Sequence, residues 1–224
     1  MLDSKQFIIC VIPAWNEAKN IEKSVMAARP FVSEVVVVDD GSGDETSNLA
    51  ARAGATVLRH FINRGQGAAL ETGNEYARRK GADIVVHFDG DGQFLATEIS
   101  DVLAPIIRGE ADVVFGSRFL GKKSNMPFTK EKIIMPLAHL INYFFIGGTL
   151  TDPQAGFRAL SNKALNLIRI QNDEMAHASE IISKTFKLRI NYKEVPITVI
   201  YYRYGQSFFK GFKIIKDLIL SNFI

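Results

Sequence analysis

Residues 34–46 read EVVVVDDGSGDET, and this stretch largely decides the predicted fold. Four consecutive valines are typical of a parallel strand that is covered on both faces. The strand ends in two aspartates and a polar, glycine-containing loop, and a helix is predicted over residues 44–53, where Gly54 ends it. A buried strand that leads through a polar loop into a helix is the repeating unit of an α/β fold.

The same unit recurs on both sides of this stretch. Strands are also predicted over residues 7–12, 55–60, 83–88 and 111–116. Helices are predicted over residues 17–28, 67–80 and 97–108. This alternation predicts an α/β fold with an open, mostly parallel sheet and helices on both faces. In such a sheet, ligands bind beyond the carboxyl ends of the strands.

The regular alternation ends near residue 120, where longer apolar segments begin. We still expect a single domain over residues 1–224, because no linker rich in Pro, Gly or Ser divides the chain. Two more strands are predicted over residues 189–195 and 198–202, and helices within residues 131–150 and 208–224. The last helix interleaves apolar residues at helical spacing with Lys210, Lys213 and Lys216. That pattern suits a helix at a lipid interface, and equally a terminal helix packed against the core.

The composition excludes several classes of protein. Hydrophobic residues make up 47% of the 224-residue chain and charged residues 23%, which excludes intrinsic disorder. A net charge of +3 is too small to predict nucleic-acid binding. Cys10 is the single cysteine, which excludes an internal disulfide framework and favours the reducing cytoplasm. The apolar run before Pro13 is too short for a signal peptide.

Polar residues gather where three of the predicted strands end. The first strand runs into PAWNE (residues 13–17), the second into DDGSGDET (39–46) and the fourth into DGDGQ (89–93). Because the carboxyl ends of parallel strands meet at one edge of a sheet, we expect the three clusters to lie together.

The spacing of Asp89 and Asp91 indicates a metal site. On an extended chain both carboxylates project to one side, where they repel each other unless a cation lies between them. Oxygen ligands favour Mg²⁺ or Mn²⁺, and Gln93 is a further candidate ligand. A calcium-binding EF-hand loop is excluded, since Phe94 replaces its glycine and Ser100 its glutamate. A loop of solvated aspartates is the alternative.

Other enzyme signatures are missing or incomplete. Residues 63–70 read NRGQGAAL, with two glycines of a dinucleotide-binding fingerprint but Leu70 at the third. The chain contains no P-loop, no G-x-S-x-G and no H-E-x-x-H sequence. His87 alternates with Asp89 on its strand, and we expect it to be a core histidine rather than a metal ligand.

Taken together, seven segments resemble the family 2 glycosyltransferases, whose nucleotide-sugar-binding fold is called GT-A. Within that family the chain is most similar to the dolichyl- and polyprenyl-phosphate sugar synthases, which transfer mannose or glucose. The segments are VIPAWNE (11–17), VVVVDDGSGDET (35–46), NRGQGAAL (63–70), HFDGDGQ (87–93), ADVVFGSRF (111–119), TDPQAGFRA (151–159) and YRYGQS (202–207). They follow the family's order over nearly the whole chain, and the last two point toward a lipid-phosphate acceptor.

The resemblance implies roles for particular residues. Asp89 and Asp91 would hold Mg²⁺ or Mn²⁺ with the help of Gln93. The implied catalytic residues are Asp91, two arginines that face phosphates (Arg118 and Arg203), and Glu180, which matches a glutamate near the acceptor. The implied substrate-binding residues are Pro13, Trp15, Glu17, Asp39, Asp40, Asp89, Gly90 and Asp91.

Two positions depart from the family pattern. Trp15 stands where relatives often carry Tyr, which keeps an aromatic face beside the base but alters the size of the pocket. Gln66 stands where many relatives carry Lys, which removes a possible phosphate contact.

The implied activity is the metal-dependent, inverting transfer of a hexose from a UDP- or GDP-sugar to dolichyl or undecaprenyl phosphate. Residues 1–120 would bind the nucleotide sugar and residues 121–224 the acceptor, with helices 131–150 and 208–224 on the membrane. The enzyme would then be cytoplasmic and peripheral at the cytoplasmic membrane face. The acceptor phosphate is already anionic near neutral pH, with a second pKa of about 6, so no strong base is required. Oligomeric state and donor base are not predicted.

Two other functions remain open at this point. An enzyme that transfers sugar to a saccharide hydroxyl would need a carboxylate base, for which Glu180 and Asp152 are candidates. A sugar-nucleotide-binding module without activity is the second alternative, although an intact Asp89 and Asp91 pair argues against it. A nucleotidyltransferase is less consistent, because no glycine-rich phosphate loop is evident near the N-terminus.

Overall fold

Seven strands form one sheet in the part of the chain that a computed structural model describes, residues 6–121 and 150–200. The strands are β1 (Ile8–Ala14), β2 (Glu34–Asp39), β3 (Thr56–Arg59), β4 (Ile84–His87), β5 (Val113–Ser117), β6 (Arg158–Ser161) and β7 (Tyr192–Pro196). Their order across the sheet is β3-β2-β1-β4-β6-β5-β7. β6 runs antiparallel to β4 and β5, and the other neighbouring strands are parallel. The predicted α/β fold with an open, mostly parallel sheet is confirmed.

Helices cover both faces of this sheet. They are α1 (Ile21–Ala28), α2 (Thr46–Arg52), α3 (Gln66–Lys80), α4 (Ile99–Ile107), α5 (Asn162–Leu167) and α6 (His177–Lys187). Short 3₁₀ turns follow α1 at Arg29–Phe31 and precede α4 at Ala96–Glu98. α3 ends at Gly81, whose left-handed backbone (φ 70°) lets its N–H bond to the last carbonyls of the helix.

The sheet carries an apolar layer on each face, because successive strand residues point to opposite sides. In β1, Cys10 and Ile12 pack with α1, α2 and α4, whereas Ile9 and Val11 pack with α3, α5 and α6. Val35–Val38 of β2 alternate in the same way. Both faces are therefore buried, which explains why this strand consists of consecutive valines.

β6 is a strand that the sequence pattern did not predict. It has four residues, and its first, Arg158, is a charged residue at a fully buried position, which conceals the apolar pattern. β6 lies between β4 and β5, so residues on either side of the 122–149 segment contribute to one sheet. The division into a donor half (1–120) and an acceptor half (121–224) remains a prediction.

The predicted strand over residues 198–202 is not found in residues 198–200, the part of it that the structure describes. Residues 198–200 form no strand, and an isolated bridge joins Val199 to Phe94. Residues 201 and 202 lie outside the described residues, as do the predicted helices 131–150, apart from residue 150, and 208–224. Within residues 6–121 and 150–200, no helix has the length and apolar character needed to cross a bilayer.

Candidate active site

The loops that follow β1 and β2 are tied to each other at the carboxyl edge of the sheet. The N–H of Asn16 donates to Oγ of Ser42 over 2.9 Å, and the N–H of Gly43 donates to Oδ1 of Asn16 over 2.9 Å. Asn16 has a left-handed backbone (φ 56°), which is uncommon for a residue other than glycine. The preceding side chain, Trp15, is 56% exposed, and it presents an aromatic surface beside these loops. Pro13, the second-last residue of β1, is half-buried.

The two aspartates at the end of β2 hold these loops in place. Asp39 is fully buried and accepts hydrogen bonds from the N–H of Ser42 (2.8 Å) and the hydroxyl of Ser47. Asp40 is also buried, and its two carboxylate oxygens accept the backbone N–H groups of Arg64 (2.9 Å) and Gly65 (2.7 Å). The structure thus places Asp39 and Asp40, two of the predicted substrate-binding residues, beneath the surface, where they fix the backbone of the surrounding loops.

Asp89 and Asp91 lie on the loop that continues β4, and negative charge accumulates there. Burial, together with the charge of Asp91, raises the pKa of Asp89 to about 7. Burial also raises the pKa of Asp91. The pKa of Glu17 is raised first by burial and then by the charges of Asp91 and Asp44. Burial and like charge therefore raise the pKa of Asp89, and the charge of Arg158 and the hydrogen bond from Gln66 offset this shift only in part.

The donor set fits a hard divalent cation. Asp89 and Asp91 supply carboxylate oxygens, and the half-buried Gln93 supplies an amide. The N–H of Gln93 donates to Oδ1 of Asp91 over 3.0 Å, which holds the loop closed around the two acids. Across the described ranges, no three His, Cys, Asp or Glu side chains converge as a complete protein-only site. Mg²⁺ and Mn²⁺ commonly take one or two carboxylates and complete their coordination with substrate phosphates and water, so the residues fit.

Gln66, the first residue of α3, directly contacts Asp89 of this candidate metal site. Its Nε2 donates to Oδ1 of Asp89 over 2.9 Å. The backbone at the start of α3 is covered by the 172–173 segment, and the N–H of Ala68 donates to the carbonyl of Asp173 over 3.1 Å. A Cβ at Gly67 would lie 2.0 Å from the carbonyl oxygen of Asn172. The glycines of NRGQG therefore allow close backbone packing, which agrees with the absence of a complete dinucleotide fingerprint.

Arg118 follows β5 and is paired with a buried carboxylate. Its Nε and Nη2 donate to Oδ2 (2.5 Å) and Oδ1 (2.6 Å) of Asp152, and its backbone N–H donates to Oδ2 over 3.1 Å. Asp152 is buried, whereas 13% of the Arg118 side chain is exposed. A neighbouring carboxylate, Glu194, accepts the N–H (2.8 Å) and hydroxyl (2.7 Å) of Thr151. This bidentate geometry fixes the orientation of the guanidinium.

Glu180 lies on α6 and holds the segment that precedes this helix. Its carboxylate accepts the N–H groups of Gln171 (3.0 Å) and Asn172 (2.8 Å) and the ammonium of Lys184 (2.6 Å). Burial opposes ionisation, but the hydrogen bonds from Lys184 and Asn172 hold the pKa of Glu180 below its ordinary value. The structure therefore gives this predicted catalytic residue an anchoring contact that the sequence pattern did not indicate.

Two predicted site residues remain, Gly90 and Arg203. Gly90 is buried, and a Cβ there would lie 3.2 Å from Cγ2 of Ile12, so the loop is packed against β1. Arg203 lies outside the described residues. Ile200, three residues before Arg203, is hydrogen-bonded to the loop that carries Asp89 and Asp91: its N–H donates to the carbonyl of Gln93 over 2.9 Å.

His87 is a core histidine, as expected. It is buried, and its Nε2 lies 2.8 Å from Oδ1 of Asn74. Burial and the charge of Arg158 place its pKa well below the ordinary value, so the ring is neutral near neutral pH.

Comparison with known proteins identifies relatives over most of the chain. A family model described as "Glycosyl transferase family 2" matches residues 9–168. The UDP-N-acetylglucosamine–dolichyl-phosphate N-acetylglucosaminyltransferase of Methanococcus voltae is 34% identical, covering 96% of this chain and 96% of the relative. The undecaprenyl-phosphate mannosyltransferase of Micrococcus luteus is 31% identical, covering 91% and 88% respectively.

A solved structure shares the fold. Glucosyl-3-phosphoglycerate synthase from Mycobacterium tuberculosis, in complex with Mg²⁺ and uridine diphosphate, matches with a TM-score of 0.74 at 20% identity. The match covers 96% of this chain and 77% of that one. At this level of identity the likeness concerns the fold, which is GT-A.

Proposed function

This chain belongs to glycosyl transferase family 2, and we propose that it transfers a sugar, with inversion, from a UDP- or GDP-sugar to a polyprenyl phosphate. Two of its relatives, which align over nearly their whole length, are named for transfer to dolichyl or undecaprenyl phosphate. The structural observation that carries the proposal is the pair Asp89 and Asp91 at the carboxyl edge of the sheet, two half-buried carboxylates whose pKa values are both raised.

On the donor side, each loop has a distinct task. Trp15 offers its exposed ring to the base, and Asp39 and Asp40 hold the loops that enclose the nucleoside. Asp89 and Asp91, with Gln93, would hold Mg²⁺ or Mn²⁺ against the diphosphate. Such a cation acts as a Lewis acid that neutralises the charge developing on the departing nucleotide. A solved structure of the same fold contains Mg²⁺ and uridine diphosphate, which supports this assignment.

On the acceptor side, a phosphate nucleophile suits the arrangement better than a hydroxyl. A hydroxyl must lose its proton to a base as it attacks, whereas a phosphate is already anionic. Asp152 and Glu180, the two carboxylates named above as candidates for such a base, already accept hydrogen bonds from other residues. Asp152 is bound by both nitrogens of the Arg118 fork, and Glu180 accepts two backbone N–H groups. We assign contact with the phosphate oxygens to Arg118, whose guanidinium Asp152 orients, and to Arg203.

A lipid acceptor also requires a membrane surface. We assign this contact to residues 131–150 and 208–224, whose apolar and lysine pattern suits an interface, and we place the enzyme at the cytoplasmic face of the membrane. The polyprenyl chain would then remain in the bilayer while its phosphate reaches the site.

The proposal is tested by an acceptor comparison. The full-length protein is incubated with Mn²⁺ and a panel of UDP- and GDP-sugars, including UDP-N-acetylglucosamine, together with either undecaprenyl phosphate in detergent or soluble oligosaccharides. We expect sugar to appear on the lipid phosphate. Transfer to oligosaccharides alone would contradict the assigned acceptor, and binding of donors without any transfer would favour a non-catalytic module.

A further inference from the structure

Arg158, the first residue of β6, is a buried arginine that the proposed chemistry does not use. It is 1% exposed and is the largest fully buried side chain among the described residues. Within residues 6–121 and 150–200, no carboxylate lies within ion-pair distance of it, and its Nη1 has no hydrogen-bond partner. Arginines are almost never fully buried unless paired, because desolvating the charge is costly. Packing alone therefore does not explain an arginine at this position.

The surroundings of Arg158 identify it as the cation of a buried polar cluster. It lies directly opposite His87 in the β4–β6 register, so the two side chains share the sheet face that α3 covers. Burial lowers the pKa of His177 to about 4 and that of His87 well below its ordinary value, so both rings are neutral. The negative charges that act on Arg158 are those of Asp89 and Asp152.

The contacts of Arg158 lead to Asp89 through a single turn. Its Nη2 donates to the carbonyl of Ala155 over 2.9 Å, and its Nε to the carbonyl of Gly156 over 3.3 Å. Gly156 in turn lies against the carboxylate of Asp89, since a Cβ there would come within 2.5 Å of Oδ2. The other oxygen, Oδ1, accepts the amide of Gln66. The carboxylate of Asp89 is therefore held between an amide on one side and the 155–156 turn on the other.

We propose that Arg158 is a positioning residue for the divalent cation: it clamps the 155–156 turn and so fixes the direction in which Asp89 presents its carboxylate. The inference rests on the proposed metal role of Asp89. Residues that orient the ligands of a metal typically change metal affinity by about 10- to 100-fold when they are replaced.

The direction of the effect separates positioning from a simple charge effect. A buried positive charge repels a divalent cation, so removing the charge of Arg158 would by itself tighten cation binding. Releasing the turn that orients Asp89 would weaken it. The charge of Arg158 also lowers the pKa of Asp89, so the comparison is made at a pH well above 7, where protons compete little with the cation. There the two effects have opposite signs, and the sign of the change in affinity identifies which one dominates.

The experiment measures Mn²⁺ binding to the full-length protein by electron paramagnetic resonance, with and without uridine or guanosine diphosphate. The variants are Arg158→Met, Arg158→Lys, Gly156→Ala and the control Leu160→Ala, a buried residue two positions along the same strand and face. Melting temperatures establish that each variant is folded. If Arg158→Met does not fold, Arg158→Lys supplies the answer: weaker Mn²⁺ binding than in the wild type supports the proposal, and unchanged binding contradicts it.

We expect Arg158→Met to weaken Mn²⁺ binding by about tenfold or more, Arg158→Lys to restore part of it, and Gly156→Ala to match the loss. Leu160→Ala is expected to lower the melting temperature and leave Mn²⁺ affinity unchanged. The effects of Arg158→Met and Gly156→Ala should be less than additive in the double variant, since both act through one turn. Unchanged or tighter Mn²⁺ binding in Arg158→Met would overturn the positioning role alone. A wild-type protein that binds no Mn²⁺ would overturn the metal site and the inference together.

Discussion

The amide of Gln66 donates a hydrogen bond of 2.9 Å to the carboxylate of Asp89, which joins the first residue of α3 to the loop after β4. The glutamine is neutral, so it orients the acid without neutralising it. The contact therefore brings no positive charge to the carboxylate that would compete with a cation. The contact also explains why the start of α3 belongs to the site although its glycines bind no dinucleotide.

Replacing Gln66 by Ala tests this contact. We expect Mn²⁺ affinity to fall by about tenfold, because Asp89 loses a partner that fixes its orientation. Isothermal titration of Mn²⁺ measures the effect. Gln171→Ala, which removes an exposed amide elsewhere, is the matched control and should leave the affinity unchanged. Equal affinities in both variants would show that the Gln66 amide is dispensable.

The raised pKa of Asp89 predicts a pH dependence with a definite sign. In the cation-free protein this pKa is about 7, so a proton competes with the cation below that pH and much less above it. Mn²⁺ affinity should therefore rise as the pH rises through about 7 and then level off. An affinity that is flat over this range would contradict the assignment.

The raised pKa of Asp89 also makes the stability of the cation-free protein depend on pH: stability falls with rising pH, whereas Mn²⁺ affinity increases. Since the folded-state pKa lies above the unfolded value, the folded protein binds more protons, and the free energy of unfolding falls as pH rises between the two values. Urea unfolding in the presence of a chelator should show this decline in the wild type, with a smaller slope in Asp89→Asn. A slope that is the same in both proteins would place the responsible group elsewhere.

Glu180 is predicted to anchor the 171–172 segment and to take no proton from the acceptor. Glu180→Gln should lower the melting temperature, since one charged acceptor of four hydrogen bonds is lost, and reduce kcat by less than about tenfold. A general base typically contributes about 10²–10⁴-fold, so a loss of that size, with a shifted pH profile, would restore the hydroxyl-acceptor alternative. Glu22→Gln, at an exposed position of α1, is the control.

The lysines of residues 208–224 are predicted to contribute to membrane contact. Changing Lys210, Lys213 and Lys216 to Glu should strongly reduce sedimentation with anionic vesicles, because each basic residue near such a surface contributes about 1 kcal/mol. Nucleotide binding should be unaffected. The control changes three exposed lysines elsewhere by the same charge: Lys19, Lys23 and Lys187. Equal vesicle binding by both triple variants would remove the specific role of this segment.

Much of the fold follows from short-range patterns in the sequence. The consecutive valines of β2 and the polar clusters after β1, β2 and β4 predict a mostly parallel sheet with its site at one edge. Asp89 and Asp91 are identifiable because two carboxylates two residues apart are costly without a cation. These features depend on local periodicity and on the rule that parallel strands end at the same edge.

The features that were missed depend on tertiary contacts. Asp152 meets Arg118 across 34 positions of sequence, and Gln66 meets Asp89 across 23, so no local pattern reveals either pair. β6 was missed because its first residue, Arg158, is charged although it is buried among apolar strands. Residues of this kind are recognised when the structure shows which neighbours they touch.

The most direct test of the account is nucleotide binding in the presence and absence of a divalent cation. Uridine and guanosine diphosphate are titrated by calorimetry into the wild type and into Asp91→Ala, once with Mn²⁺ and once with a chelator. Asp173→Asn, which changes an exposed aspartate paired with Arg64, serves as the control because exposed ion pairs contribute little.

We predict that the wild type and the control bind one of the two nucleotides at least about tenfold more tightly with Mn²⁺, and that this gain disappears in Asp91→Ala. If the wild type bound nucleotide equally well after chelation, or if Asp91→Ala kept the full gain, the assigned metal site would be wrong.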